Sequence, residues 1–441
     1  MTPATTQYSK REQNGWYFYD WANSVFATSG IALFLPTYVP MLAMAAADPG
    51  GYVHPLGIPM AAASFWAYTV GFSVACQVLV LPVVGAIADY GRRKKECLGI
   101  TAFIGAAAAM AMFFLKGSDY LWAGGLFVIG NLAMGASVVV YNSFLPEIAP
   151  PEERDAISSR GWALGYAAGS LALLFHLLLV SRAESFGIDT NMAIRISLCS
   201  TGVWWAIFTV PVLFRLHNRG AARSLPPGKS LLGVAFGELA KTVRHMRGFP
   251  NTLKFLIAYL LYNDGIQTVL VESADFGAHE LNIPVTQLTI TILIAQIVGI
   301  FGAMGFNRLA KLFTAKTAVM IALVVWTGVL TYAYAFVHTV TEFYIMGAVA
   351  GAVMGGSQAL SRSIFAQLVP KGKEAEYFSL YEIGDKGTSW LGPPTFGLAL
   401  QLTGSYRFAL LSLIIFFVLG LAVLTRADVK QGVLDVGRHE A

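Results

Sequence analysis

The sequence carries little charge. Of its 441 residues only 12% are Asp, Glu, Lys or Arg and 56% are apolar, whereas charged residues make up about 25% of a soluble globular protein. Too few charged side chains are present to cover a water-facing surface. Apolar runs of about 20 residues, the length that crosses hydrocarbon as a helix, recur along the whole chain. This composition excludes a soluble globular protein and predicts an integral membrane protein.

Cysteine is scarce, and common enzyme motifs are missing. The three cysteines, Cys76, Cys97 and Cys199, lie within or at the ends of apolar segments without C-x-x-C spacing, which argues against a disulfide framework or a metal site. The sequence has no H-E-x-x-H motif, no G-x-S-x-G motif and no histidine-rich tract. We therefore expect no enzyme activity, no metal and no cofactor.

Apolar runs separated by polar breaks predict an all-α membrane protein of twelve transmembrane helices, spans 1 to 12. The predicted spans cover 17–45, 63–88, 97–115, 121–144, 159–181, 192–214, 252–275, 286–306, 316–337, 341–361, 375–402 and 405–425. They divide the chain into an N-terminal six-helix bundle at 1–215, a cytoplasmic linker at 216–250 and a C-terminal six-helix bundle at 251–441. Within the linker, residues 229–247 predict a basic amphipathic helix on the inner leaflet, with a flexible linker as the alternative.

The basic residues predict the orientation. With twelve spans, the connections on the side of both termini hold 24 Lys and Arg, and the opposite side holds four, Lys116, Arg182, Arg195 and Arg407. Cytoplasmic loops carry the excess of positive charge. Both termini are therefore predicted to lie in the cytoplasm. The protein itself is expected in a bacterial inner membrane. The net charge of +5 lies between the spans, so it does not indicate a nucleic-acid partner.

A short repeat relates the two bundles. M-G-A-S at 134–137, followed by Asn142 and Ser143, matches M-G-G-S at 354–357, followed by Arg362 and Ser363, at a constant offset of 220 residues. The repeat makes span 4 the counterpart of span 10. Two parallel six-helix repeats in one chain are typical of a class of membrane transporters.

The connection between spans 2 and 3 reads G-A-I-A-D-Y-G-R-R-K-K at 85–95. Gly85 permits close helix approach, Asp89 is an anion able to meet the positive N-terminus of another helix, and Gly91 allows a tight reversal. Arg92 and Arg93 supply cations. The loop resembles the signature loop of the major facilitator superfamily, which implies a gating role for these five residues as a latch between the halves. The alternative is a basic loop that only follows the positive-inside rule.

Several stretches resemble one branch of that superfamily, the autophagy-related vacuolar amino-acid effluxers and their bacterial relatives. They are Y-D-W-A-N-S at 19–24, L-P-E-I-A-P at 145–150, S-R-G-W at 159–162, Y-N-D-G-I-Q at 262–267, G-S-Q-A-L-S-R at 356–362 and K-G-T-S-W-L-G-P at 386–393. The resemblance implies a monomeric secondary transporter that moves a small polar solute by alternating access, with amino-acid efflux and proton coupling as candidates. A uniporter, a channel or a non-transporting membrane protein are the alternatives.

Polar side chains inside the spans are costly in hydrocarbon and so indicate a transport path. By helix rise, those nearest the middle of the bilayer are Asn131, Asn263, Asp264, Gln267, Asp385 and Lys386. A second group, Asp20, Asn23, Ser24 and Ala27, forms a stripe of small and polar residues on one face of span 1.

These residues form the predicted site. We expect Asp264 and Lys386 to offer opposite charges to a zwitterionic or otherwise polar solute. Hydrogen bonds would come from Asn263, Gln267, Gln358, Asn23 and Asn131, with Asp385 nearby, and a coupling proton would be carried by Asp20 or Asp264. The alternative is structural pairing, in which Glu382 neutralises Lys386 at i and i+4 and Arg362 pairs with Asp385 or Glu147.

Overall fold

The computed structural model describes residues 9–62, 65–90, 93–218, 246–387 and 391–440, and this part of the chain is almost entirely helical. A helix is present at each of the twelve predicted span positions. Spans 1–6 are called the N-half below, and spans 7–12 the C-half. Most of the predicted surface helix at 229–247 lies outside the described residues.

The N-half begins with a long, composite span. Span 1 runs continuously through Lys10–Val25, a π-helix at Phe26–Phe34, and Leu35–Ala45. An antiparallel pair of two-residue strands, Tyr52–Val53 and Met60–Ala61, follows it, with Tyr52 opposite Ala61. The remaining spans are Phe65–Tyr90, Lys94–Ala111 with a 3₁₀ turn at Met112–Phe114, Tyr120–Ser143, Pro151–Ser181 and Thr190–Arg215; short helices lie at Pro55–Gly57, Leu145–Ile148 and Glu184–Phe186.

The C-half repeats this arrangement, but its last two spans each consist of two helical segments. Spans 7 to 10 are Pro250–His279, Val285–Leu312, Ala315–Ala335 and Val340–Gln367. Span 11 consists of two helices, Glu374–Gly387 and Gly392–Thr403, and span 12 of Tyr406–Ser412 followed by Ile414–Thr425. A last helix, Val429–Glu440, follows span 12, and the backbone N–H of Asp428 before it donates to Asn251 Oδ1 at the start of span 7 (3.1 Å).

Ten of the described helical segments are long and apolar enough to cross a membrane by length and composition. The other two positions are span 7, which carries three acidic residues as well as Lys254, and span 11, which is described as the two helices Glu374–Gly387 and Gly392–Thr403. Leu391 lies in a turn directly before the second helix, so the prediction of one continuous helix over 375–402 is wrong in detail. Pro393 and Pro394 lack backbone N–H donors and favour the first turn of a new helix, which begins at Gly392.

Span 1 also departs from a regular helix. Its nine-residue π-helix, Phe26–Phe34, was not predicted. The wider i to i+5 hydrogen bonding of a π-helix is uncommon and occurs frequently at functional sites. In this span it contains Thr28 and Ser29, which are both buried. The irregular backbone therefore coincides with polar side chains in the interior of the molecule.

Spans 8 and 10 pack with almost no space between their backbones. A Cβ atom added at Gly351 would lie 2.2 Å from the carbonyl oxygen of Ala295, and one at Gly355 would lie 2.4 Å from that of Gly299. Small residues at such contacts allow transmembrane helices to approach closely. Here the partner atoms belong to backbone, so a rotamer change cannot relieve the clash.

Replacing Gly351 by alanine is accordingly expected to destabilise the protein by about 1–3 kcal/mol, the usual cost of overpacking. The matched control is Gly328→Ala in span 9, where an added Cβ has no neighbour within 4 Å. Unfolding in mixed micelles with increasing SDS measures both. Equal stability of the two variants would contradict the packing described here.

Candidate functional site

The two halves are joined on the side that carries the 85–95 loop, called the basic side below. Both carboxylate oxygens of Asp89 accept hydrogen bonds from the first turn of span 11, from the backbone N–H of Ala375 (3.1 Å) and of Glu376 (2.8 Å). A carboxylate at a helix N-terminus is favoured by the unpaired N–H groups and the helix dipole. A Cβ at Gly85 would lie 2.6 Å from the carbonyl oxygen of Ala375. The end of span 2 therefore docks directly on span 11.

A buried cluster of charges surrounds this contact. The Lys94 ammonium lies 2.6 Å from Glu147 Oε1, 3.2 Å from Glu374 Oε2 and 3.4 Å from Asp89 Oδ1. Lys94 is only 6% exposed, so solvent screens these interactions little. The cluster connects spans 2, 3 and 4 of the N-half to span 11 of the C-half.

Lys94 was not among the residues predicted to form the latch. Of the predicted residues in the same loop, Gly91 and Arg92 lie outside the described residues and Arg93 is exposed. The buried cation is Lys94 because it begins the helix of span 3 and is turned toward Glu147 and Glu374. Four successive basic residues in the loop gave no sign of which one is buried.

A second ion pair crosses between the halves deeper in the protein. Arg362 of span 10 donates from both terminal nitrogens to the Asp20 carboxylate of span 1, over 3.3 and 3.1 Å. The Tyr141 hydroxyl donates to the same carboxylate (2.8 Å). Arg362 also donates from Nε to Ser158 Oγ (2.9 Å) and from a terminal nitrogen to the Ser158 carbonyl (2.8 Å).

This pair corrects the structural alternative drawn from the sequence. Arg362 was expected to pair with Asp385 or Glu147. Among the described residues it pairs with Asp20, and Glu147 pairs with Lys94, so the pairing with Glu147 is wrong, whereas the pairing with Asp385 stays a prediction. The side chain of Asp385 lies outside the described part of the molecule. The pair could not be predicted from spacing along the sequence, because Asp20 and Arg362 are 342 positions apart and lie in different halves.

Three aromatic rings enclose the guanidinium of Arg362. Its central carbon lies 4.8 Å from the ring centroid of Trp16, 5.4 Å from that of Trp162 and 5.6 Å from that of Tyr141. Cations within about 6 Å of an aromatic centroid are attracted by the ring. Arg362 is 3% exposed, and these three rings all belong to the N-half.

Two equivalent positions of the internal repeat are in contact beside this ion pair. Asn142 and Arg362, equivalent by the offset of 220 residues, lie 3.5 Å apart between Asn142 Oδ1 and a terminal nitrogen of Arg362. Asn142 Nδ2 donates to Glu382 Oε1 of span 11 (2.7 Å), just as Arg362 donates to Ser158 of span 5. Span 4 therefore contacts span 11 as span 10 contacts span 5, which is the arrangement that a pseudo-twofold relation requires.

Glycines of span 5 make room for the polar stripe of span 1. Three residues one turn apart on span 1 each face one glycine, in the pairs Asp20–Gly161, Ser24–Gly165 and Thr28–Gly169. A Cβ at these glycines would lie 2.3, 2.6 and 2.7 Å from the facing side-chain oxygen. These glycines therefore provide the space that the polar side chains occupy between the spans.

Two further polar contacts cross between the halves. The Tyr166 hydroxyl of span 5 donates to Gln358 Oε1 of span 10 (2.7 Å). Gln296 Nε2 of span 8 donates to Thr28 Oγ1, in the π-helix of span 1 (3.1 Å). Gln358 was predicted as a site residue, whereas Gln296 was not, because an isolated glutamine in a long apolar run carries no spacing signal. These contacts place Asp20, Gln358 and Arg362 together at the interface.

Asp264 lies at the interruption of span 11. Its carboxylate is 1% exposed, and its Oδ2 accepts a hydrogen bond from the backbone N–H of Gly392, the first residue of the second helix of span 11 (2.9 Å). Interrupted helices whose N-termini meet an anion are a feature of transporter binding sites. The side chains of Asp385 and Lys386 are outside the described residues, so the pairing of Asp264 with Lys386 stays a prediction.

The remaining predicted site residues are Asn263, Gln267, Asn23 and Asn131. Asn263 is buried and Gln267 half-buried in span 7, and Asn23 is buried in span 1. Asn131 is used inside the N-half: its Nδ2 donates to Ser73 Oγ (2.9 Å) and its carbonyl oxygen accepts from Gln77 Nε2 (3.0 Å). Asn131 therefore joins spans 2 and 4 in this conformation.

Twelve spans in two pseudo-symmetric bundles, joined by a helix-capping loop after span 2, define a transporter of the major facilitator superfamily. Solved structures show the same fold. A bacterial homologue of the iron transporter ferroportin in its outward-facing state aligns with a TM-score of 0.67 at 15% identity, over 94% of this chain and 98% of that chain. The transporter FucP in its outward conformation aligns with a TM-score of 0.67 at 12% identity, over 95% and 98%.

Within that superfamily, the chain belongs to the family described as vacuole effluxer Atg22 like, whose sequence profile matches residues 8–154 and 149–437. YxiO of Bacillus subtilis, an MFS-type transporter, is 30% identical over 96% of this chain and 97% of its own length. Autophagy-related protein 22-1 of Penicillium rubens is 28% identical over 97% and 91%. The resemblance stated from the sequence motifs is therefore confirmed.

Proposed function

We propose that this protein exports a small polar solute, with amino acids as the first candidates, by alternating access. The observation that carries the proposal is the set of polar contacts between the halves on the basic side. Asp89, Lys94 and Arg362 each bond to the opposite half, and an opening on that side must break all of these contacts. Such a closed but separable interface is what a rocking carrier requires.

We place the basic side in the cytoplasm, with both termini there. The 24 to 4 distribution of Lys and Arg supports this orientation. In it, the contacts described above close the cytoplasmic side, so the conformation is outward-facing. Asp89 and Gly85 then act as the latch that stabilises this state. The protein works as a monomer in a bacterial inner membrane and is not an enzyme.

We further propose that, while the basic side is closed, solute binds near the interruption of span 11, between Asp264 and Lys386, with Gln358 on the opposite wall. A zwitterion fits this arrangement because it carries both charges. Asp264 or Asp20 carries a coupling proton. The family description as an effluxer supports export as the direction of transport.

Solute counterflow in proteoliposomes tests the transport proposal. Purified protein is first screened by thermal shift against amino acids, sugars, nucleosides and organic acids, since a ligand that binds only the folded state raises its stability. Liposomes loaded with a stabilising solute should then accumulate the labelled solute, with saturation. Flux that never saturates and shows no exchange would instead identify a channel.

Asp264→Asn and Lys386→Met are each expected to lower kcat/KM for the identified solute by about 10- to 100-fold, the effect of losing one charged hydrogen bond. Asparagine retains an oxygen that can accept the Gly392 N–H, so the helix cap survives. Glu152→Gln, at an exposed carboxylate of span 5, serves as the control. Full activity of both site variants would remove the two residues from the binding site.

A further inference from the structure

The three aromatic rings and the oxygen acceptors that contact the Arg362 guanidinium belong to the N-half, whereas Arg362 itself belongs to the C-half. Together, three aromatic rings and a set of oxygen acceptors form a pocket around the guanidinium, called the N-half cation pocket here. Its residues are Trp16, Asp20, Tyr141, Ser158 and Trp162. All five lie on spans 1, 4 and 5, so these rings and acceptors keep their arrangement when the C-half moves as a unit.

The chemistry of this pocket suits an organic cation. Aromatic faces attract ammonium and guanidinium groups, and the Asp20 carboxylate with the Ser158 hydroxyl and carbonyl provides acceptors for their N–H groups. The guanidinium of Arg362 uses all of these elements at once. An ammonium group on a small solute presents the same charge and donors in a smaller volume.

Opening of the basic side would empty the pocket. Span 10 carries Arg362 and moves with the C-half, whereas Asp20 and the three rings stay with the N-half. The movement leaves a carboxylate flanked by aromatic faces and directed toward the opening. It also leaves the Arg362 guanidinium without its anion.

On the basis of the proposed transport function, we infer that the N-half cation pocket binds the cationic group of the solute when the basic side is open, and that Arg362 occupies the same position when it is closed. The solute and Arg362 then compete for one pocket. For an amino acid, the ammonium group enters the pocket and the carboxylate meets the freed Arg362, whose planar guanidinium pairs with carboxylates in a bidentate manner. A zwitterion therefore replaces both partners of the broken ion pair.

Chemical rescue tests the pocket without any knowledge of the solute. The Arg362→Ala variant is purified and its thermal unfolding is followed with methylguanidinium chloride, using equal sodium chloride as the control. Methylguanidinium should recover at least half of the lost melting temperature in Arg362→Ala. It should have no such effect on the wild-type protein or on Asp20→Asn/Arg362→Ala, in which the anion is also removed. Absence of rescue in the single variant would overturn the inference, and Arg362 would be a scaffold residue only.

A second experiment asks whether a solute uses the pocket, with L-leucine as the probe in counterflow. Two analogues that each keep one charge, 3-methylbutylamine and 4-methylpentanoate, serve as inhibitors. Trp162→Leu removes one aromatic face and Trp162→Phe retains one; the Trp162 Nε1 has no hydrogen-bond partner among the described residues, so neither change breaks a bond.

In Trp162→Leu, the concentrations of leucine and of the amine that give half-maximal effect should rise about 3- to 10-fold, within the range of one cation–π contact. The acid should be unaffected, and Trp162→Phe should resemble the wild type. An equal change for all three compounds would overturn the inference, because a merely structural defect does not distinguish charge. If leucine is not exchanged at all, the leucine form of the transport proposal fails, while methylguanidinium rescue still decides whether the pocket exists.

Discussion

Arg362→Met should destabilise the protein by about 3–5 kcal/mol, because the substitution leaves the buried Asp20 carboxylate without its cation. Unfolding in mixed micelles with increasing SDS measures the loss. Arg160→Met is the control, since Arg160 is an exposed cation on span 5 and surface charges contribute at most about 1 kcal/mol.

The Asp20→Asn/Arg362→Met double variant separates the two causes of this loss. Removing both charges also removes the uncompensated anion, so the double variant should be more stable than Arg362→Met alone. The coupling energy from the four proteins then gives the interaction of the pair. If the two single losses simply add, Asp20 and Arg362 are not energetically coupled and the ion pair has no role in closing the interface.

Weakening the contact between spans 2 and 11 should open the basic side. Asp89→Asn removes the charge that both the span 11 N-terminus and Lys94 bind, and hydrogen bonds to charged groups contribute about 1.5–3 kcal/mol. A change of 1.4 kcal/mol alters a population tenfold. The open fraction is therefore expected to rise by about 10-fold or more. Gly85→Val should act in the same direction, because its side chain would clash with the Ala375 backbone.

Labelling of a single cysteine measures this opening. Ser363→Cys is introduced with Cys76, Cys97 and Cys199 replaced by serine; Ser363 is fully buried and its hydroxyl bonds to Asp155 across the halves. A membrane-impermeant maleimide added from the basic side should react faster in the Asp89→Asn and Gly85→Val backgrounds. Glu152→Gln and Gly71→Val are the matched controls, since Glu152 is exposed and a Cβ at Gly71 meets nothing within 4 Å. Unchanged rates in both latch variants would show that this contact does not hold the basic side closed.

Much of the fold could be predicted because the bilayer imposes a simple rule on composition. Each crossing needs about 20 apolar residues with internal backbone hydrogen bonds, so span positions are visible as apolar runs. Span 11 was located correctly, but its interruption was not, because hydropathy averages over the residues that break the helix. The π-helix of span 1 was missed for the same reason: residues 26–34 read as an ordinary apolar helix.

The candidate site was predicted less completely. Asp20 and Gln358 were selected because polar groups inside spans are costly and therefore informative, and Asp89 was selected from the loop motif that contains it. All three bond across the halves. Lys94 and Gln296 were not selected. The burial of Lys94 depends on the rotation of one helix relative to its neighbours, and that of Gln296 on which face of span 8 meets span 1.

The amino-acid order alone was enough to establish a membrane protein of twelve spans, its internal repeat and its superfamily, because hydropathy, charge asymmetry and short motifs are properties read along the chain. The pairing of Asp20 with Arg362, the Lys94 cluster and the N-half cation pocket arise only when the halves come together. Their members lie up to 342 positions apart, and charge attraction depends on distance in space, which no spacing along the sequence specifies.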